Sequence, residues 1–176
     1  MSHSNSPLPI SFCGHSGVGK TTLICALLKH WKTLGLRVGV IKHSGGFPDP
    51  DTPGKDSHRL REAGADRLVL GSRDQTVCWW AHPSNADAGS AAEPDFASRL
   101  KLLGDDLDFI IVESWNAVQL PTVEVMRSGH STETRFRGDE RLIAVAADFP
   151  SETCPMPRFD LDDIQGLSDF LLALPR

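Results

Sequence analysis

A three-layer α/β domain around a mainly parallel sheet is the fold this sequence predicts, on two observations. Short apolar runs of strand character alternate along the chain with stretches whose apolar residues recur at helical spacing. The first apolar run also passes straight into a glycine-rich turn and a helix, the order of a β–α–β unit with parallel strands. The 176 residues are 40% hydrophobic and 23% charged, which suits one full core and leaves little room for a second. Residues 9–176 are therefore read as one domain, preceded by a flexible Ser- and Pro-rich stretch over residues 1–8.

Residues 9–13 (PISFC) are the first buried strand, ending at Gly14. Leu23, Leu27 and Trp31 then fall on one helical stripe, with Ile24 and Leu28 beside it and Gly35 as the stop. Residues 37–43 (RVGVIKH) are the second strand, and the Gly-, Pro- and Asp-rich residues 44–54 are a loop. A short helix is expected over 56–63, capped by Asp56 or Ser57 and stopped near Gly64. Two β-rich runs follow, 67–70 and 76–81, then a mobile loop over 82–93 that has little to pack with. The remaining elements are a helix over 95–103, a strand over 109–112 ending at Glu113, strands over 122–127 and 142–147, and a closing helix over 164–174.

The net charge of −5 gives no general electrostatic reason to bind nucleic acid or an anionic membrane. The N-terminal residues lack the basic start and apolar run of a signal peptide, and no apolar stretch approaches the roughly 20 residues that cross a bilayer. A soluble, cytoplasmic protein is expected. Cys13, Cys25, Cys78 and Cys154 contain no Cys-x-x-Cys pair and read as buried or idle thiols, and the seven histidines form no cluster.

The chemistry is concentrated in Gly14-His15-Ser16-Gly17-Val18-Gly19-Lys20-Thr21, which matches G-x-x-x-x-G-K-[ST] between a strand and a helix. The glycines let successive backbone N–H groups curl around phosphate oxygens, and the helix that follows aims its positive end at the same charge. Lys20 is expected to face solvent and reach the β- and γ-phosphates of a nucleoside triphosphate. The Thr21 hydroxyl is expected to ligate Mg²⁺, and Thr22 to complete the binding set. An acidic partner for Mg²⁺ is sought at the C-terminal end of a strand, the end that faces the ligand crevice of such sheets, so Glu113 outranks Asp108. At the end of the second strand and in its loop, Lys42, Asp51, Lys55 and Asp56 fit a nucleotide-sensing switch. They fit an ordinary turn and helix cap equally well, and the residues alone leave both open. Base choice is not readable, since no Asn-Lys-x-Asp run is present. Asp148, just after an apolar strand, suits a guanine reader or a turn cap.

Taken together, GHSGVGKTTL, VGVIKH and DTPGKDSHRLREAGA, followed in order by DFIIVE, PTVEVMR and IAVAAD, resemble the MobB family of molybdopterin-guanine dinucleotide biosynthesis adapters. The resemblance runs from about residue 9 to the closing helix. It implies a homodimeric, GTP–Mg²⁺-binding protein with weak GTPase activity that assists the guanylyltransferase joining GMP to molybdopterin. It also favours the switch reading of Lys42, Asp51, Lys55 and Asp56, and Glu113 as the strand-end acid. Two departures stand out. A His-rich stretch typical after the second strand is replaced by Ser44-Gly45-Gly46-Phe47, and Gly-Phe-Lys after the strand-end Glu is replaced by Ser114-Trp115-Asn116. These bear on affinity for a pterin phosphate and for the usual partner. The rival is a small-molecule kinase or ligase-like phosphoryl transferase, for which residues 82–93 offer a lid but the chain offers no identifiable base. A metal-insertion GTPase would want a His/Cys cluster, which the sequence lacks.

Overall fold

The computed structural model describes residues 7–43, 53–65, 67–80, 96–115, 118–130, 132–150 and 155–175. They fall into two compact units, one built from residues 1–44 and 96–176 and one from residues 45–95.

In the larger unit a six-stranded sheet has the order β2-β5-β1-β6-β7-β8: β1 is Leu8–Cys13, β2 Val38–Lys42, β5 Phe109–Glu113, β6 Thr122–Met126, β7 Leu142–Ala147 and β8 Arg158–Phe159. Every pairing in it is parallel. Parallel neighbours place all the C-terminal strand ends on one edge, which gathers Cys13, Lys42, Glu113, Met126 and Ala147 near each other.

The sheet is buried on both faces, as parallel sheets are. Side chains that alternate with period two divide its residues between the faces. On one side Ile10, Phe12, Val123, Val125, Ala144 and Ala146 pack against α1 (Lys20–Thr33) and α4 (Ile164–Leu172). Trp31 of α1 stacks on Phe109 with ring centroids 4.7 Å apart and donates its Nε1–H to Ser168 Oγ of α4 at 2.8 Å, so its one polar atom is satisfied in a dry site. On the other side Ile41, Ile110, Val112 and Trp115 meet α3 (Phe96–Leu103). Cys13, Met126, Leu142 and Val145 on this side are joined by Phe136. Helix, sheet and helix give the three-layer α/β architecture.

The smaller unit holds α2 (Asp56–Glu62) and an antiparallel hairpin of β3 (Arg67–Gly71) and β4 (Thr76–Trp80). Ser72 Oγ closes the turn by accepting from the Gln75 amide at 3.1 Å. Arg61 of α2 lies over the Trp79 ring, 5.6 Å from its centroid. Lys55, not Asp56 or Ser57, takes the N-cap position, and no side chain caps it. Asp56 instead begins the helix, where its charge suits the positive end of the dipole.

Other expectations differ in detail. Strand β8 was not anticipated; two residues are too short to carry a periodic signal. Leu8 already belongs to β1, so the first strand begins one residue earlier than read. Cys13 is buried, whereas Cys25 and Cys78 are exposed free thiols, so the thiols do not share one environment. Residues 1–6, the loop 82–93, Ser44 to Phe47, Asp51, Asn116 and Cys154 lie outside the described residues.

Candidate nucleotide-binding site

The glycine-rich loop leaves β1 with a sharp change of direction that only glycine tolerates. Gly14 has φ +146°, and a Cβ there would stand 2.2 Å from the Val125 carbonyl oxygen of β6. Gly17 and Gly19 also have positive φ, +81° and +100°, and Gly19 occupies the N-cap of α1 without a capping side chain. The first N–H groups of α1 thus point into the loop with no internal acceptor. Val18 anchors the loop from beneath, its side chain 1% exposed.

Lys20 is not solvent-facing, as the sequence reading held, but 9% exposed. Its ammonium folds back over the loop and donates to the carbonyls of Gly14 (3.0 Å) and His15 (2.7 Å). A lysine has three N–H bonds, so one remains for a phosphate oxygen. Burial pulls its pKa below the usual lysine value, opposed by the nearby Glu113 carboxylate.

Glu113, 5% exposed, stands at the end of β5 beside the loop. Its Oε1 accepts from Thr21 Oγ1 at 2.6 Å and from Lys42 Nζ at 3.3 Å. Asp108, at the opposite end of the same strand, accepts from the Arg37 amide at 2.8 Å instead. A hydroxyl and a carboxylate in contact form a hard oxygen donor set of the kind Mg²⁺ takes when phosphates and water supply the rest of its octahedron. The residues fit the ion: Thr21 can keep its hydrogen on Glu113 while its oxygen lone pairs face the metal. Among the described residues no group of three or more His, Cys, Asp and Glu could cage a metal alone.

The corner after Glu113 is tightly built. Ser114 has φ +65°, the one non-glycine residue with positive φ among those described. It stands where the resemblance expects glycine. Its amide donates to the Phe12 carbonyl at 3.1 Å, and the His43 amide donates to the Glu113 carbonyl at 3.0 Å. Trp115, 6% exposed, stacks on His43 at 5.0 Å, meets Phe96 edge-on at 5.7 Å and carries the Arg99 guanidinium 4.9 Å above its ring. The tryptophan therefore locks the ends of β2 and β5 to α3. Ser114→Gly should stabilise the protein by about 0.5–1 kcal/mol, the left-handed penalty less the entropy glycine loses. A urea midpoint that rises with unchanged slope is the expected result.

Asp148 follows β7 and accepts twice from Ser128, from its amide at 2.6 Å and its hydroxyl at 3.1 Å. The Ser128 amide bond, with Arg127 nearby, holds its carboxyl below the usual range. Of the remaining candidates, Lys42 lies on Glu113 as described, whereas Lys55 and Asp56 belong to the smaller unit; Asp56 lies 3.8 Å from Arg59. His15, Ser16, Thr21 and Thr22 are exposed along the loop and first turn.

Sequence reasoning missed two residues here. Arg127, first beyond β6, donates its Nε–H to the Val18 carbonyl at 3.1 Å. Glu124, 1% exposed on β6, accepts from the Thr134 hydroxyl and, at 3.0 Å, from the Arg135 amide. The signals were present: a carboxylate among valines in a buried strand needs partners, and a cation at a C-terminal strand end faces the crevice.

A parallel sheet whose first strand runs through this loop into a helix, with a strand-end acid on the loop's threonine, defines a P-loop nucleotide-binding protein. The family model described as MobB, Molybdopterin guanine dinucleotide synthesis protein B, matches residues 9–148, and the chain belongs to that family. It is 34% identical over 166 residues to the molybdopterin-guanine dinucleotide biosynthesis adapter protein of Escherichia coli (strain K12), covering 93% of this chain and 90% of that one. The corresponding protein of Haemophilus influenzae is 29% identical over 168 residues, covering 95% and 89%. The crystal structure of molybdopterin-guanine biosynthesis protein B has the same fold, with a TM-score of 0.71 and 23% identity over 94% of this chain and 97% of that one.

Proposed function

We propose that this protein is a GTP–Mg²⁺-binding adapter in molybdopterin guanine dinucleotide biosynthesis, serving the guanylyltransferase of that pathway as a homodimer in the cytoplasm. The observation that carries the nucleotide part is the contact of Thr21 with Glu113 beside the Lys20 ammonium, which sets a cation and a hard-oxygen pair next to one glycine loop. The pathway follows from family membership and the name of the E. coli relative. Support for a homodimer comes from the hairpin, where Val69, Leu70 and Val77 are 61%, 39% and 45% exposed. A two-stranded sheet with such a surface is marginal without a partner. No helix among the described residues is long and apolar enough to cross a membrane.

When bound, Mg²⁺ supplies charge neutralisation between the phosphates. The chain's own residues do the holding: loop amides donate to the triphosphate oxygens, Lys20 offers its remaining N–H, and Glu113 orients the Thr21 hydroxyl. Asp148, already aligned by Ser128, is the acid proposed to take the paired donors of guanine. Weak GTPase activity fits a site with positioning groups but no identified base for water.

Isothermal titration tests this directly. Wild-type protein should bind GTP with Mg²⁺ more tightly than ATP, and Asp148→Ala should erase about five- to hundredfold of that preference, the cost of losing a charged hydrogen-bond partner. Thr21→Ala and Glu113→Gln should each weaken binding with Mg²⁺ by about tenfold and binding without it by far less, whereas Asp108→Asn should change neither. Equal affinity for both nucleotides would contradict the guanine assignment, and a larger effect at Asp108 than at Glu113 would contradict the metal one.

A further inference from the structure

We propose that Arg127 is a positioning residue that couples the phosphate-binding loop to the carboxylate of Asp148, so that triphosphate and base are recognised by one connected unit. The inference rests on the guanine reading above and deepens it. Strand β6 runs between β1 and β7, with Cys13 opposite Glu124 and Met126 opposite Ala147. The residues just past its end therefore stand between the loop that continues β1 and the acid that follows β7.

Each side is held by a direct bond. Arg127 Nε donates to the Val18 carbonyl at 3.1 Å, and a Cβ on Gly19 would come within 3.3 Å of Arg127 Nη2. The guanidinium thus lies against the outer backbone of the loop at Val18 and Gly19, while the buried Val18 side chain grips it from the core. An alanine at position 19 would press on this arginine as well as straining its own backbone.

The next residue completes the link. Ser128 donates its amide to Asp148 Oδ1 at 2.6 Å and its hydroxyl to Oδ2 at 3.1 Å. Two donors on two oxygens fix the carboxylate plane, and each oxygen retains a lone pair for a further donor. That is the arrangement paired N–H groups of a guanine edge require. A shift of Arg127 to follow the loop therefore moves Ser128, its chain neighbour, and with it the acid.

The test uses the full chain, isothermal titration and three probes with Mg²⁺: GTP, ATP and inorganic tripolyphosphate. Arg127→Ala should weaken tripolyphosphate binding by about tenfold, because the loop loses its outer anchor. It should also shrink the GTP-to-ATP ratio, and the Arg127→Ala, Asp148→Ala double variant should lose no more of that ratio than Asp148→Ala alone, since coupled residues are not additive. Arg127→Lys, which keeps a donor nitrogen and the charge but not the planar fork, should restore part of both effects. If Arg127→Ala does not fold, Arg127→Lys and Arg127→Gln carry the comparison, with lysine expected nearer the wild type on both readouts. A GTP-selective wild type whose folded Arg127 variants keep its ratio and its tripolyphosphate affinity overturns the inference alone. Strict additivity of the ratio effects also overturns it. A wild type without preference for GTP refutes the guanine reading and the coupling with it, and is recognised before any variant is compared.

Discussion

Replacing Lys20 by alanine is expected to abolish measurable triphosphate binding, a loss of at least about a hundredfold, while leaving the fold intact. A charged donor to phosphate in a partly desolvated site contributes about 3 kcal/mol or more. The lysine's burial does not make it a core residue: its contacts are the carbonyls of Gly14 and His15, on a loop where Val18 supplies the core contact and His15, Ser16 and Gly17 are exposed. Those carbonyls can turn to water when the ammonium goes. Circular dichroism of the variant should match the wild type, and titration with GTP or ATP should give no heat of binding. Retained affinity in a folded Lys20→Ala protein would remove the loop from the phosphate site. The lowered pKa of Lys20 adds a pH signature. As pH rises, the ammonium and its phosphate contact are lost earlier than for an ordinary lysine, so GTP affinity should fall correspondingly early.

Glu124→Ala is the substitution expected to cost most in stability, about 3–5 kcal/mol, because it empties a position only 1% exposed and takes the acceptor away from the partly buried Thr134 hydroxyl and Arg135 amide. Thr134 also accepts from the Phe136 amide at 3.1 Å, and Phe136 packs against Cys13, Met126 and Leu142, so the loss spreads into the second face of the sheet. Glu124→Gln keeps a carbonyl acceptor for the Arg135 amide and should cost less than half as much. Urea unfolding measures both, and a loss below about 1 kcal/mol for the alanine variant would mean the carboxylate is not what holds the 134–136 turn.

Much of this fold was legible because it rests on local signals. The P-loop carries its strand, turn glycines and helix start within a dozen residues, and the apolar runs at 109–113 and 142–147 are long enough to declare buried strands. Contacts between distant segments were not legible. Nothing local in HWKT announces that Trp31 reaches Ser168, and nothing in SWN announces that Trp115 is clamped by His43, Phe96 and Arg99. Strand-end polarity brought Glu113 to Thr21 on paper, since parallel topology fixes which end faces the loop. Arg127 escaped because its partner is a backbone carbonyl, and no sequence pattern marks a carbonyl as needing a donor. The burial of Lys20 escaped for the same reason.

The adapter and kinase readings part most sharply on one measurement: molybdopterin guanine dinucleotide formation by a purified guanylyltransferase, with molybdopterin and GTP–Mg²⁺, in the presence and absence of this protein. A working phosphoryl transferase must hold a nucleophile in line with the γ-phosphate and stabilise the developing charge, and turns over at roughly 1–100 s⁻¹. The account predicts that wild-type protein binds the guanylyltransferase and raises its product yield, that Lys20→Ala does not raise it, and that molybdopterin is never phosphorylated by this protein alone. No complex and no change in product, or rapid multiple turnover on a small acceptor without the partner, would contradict it.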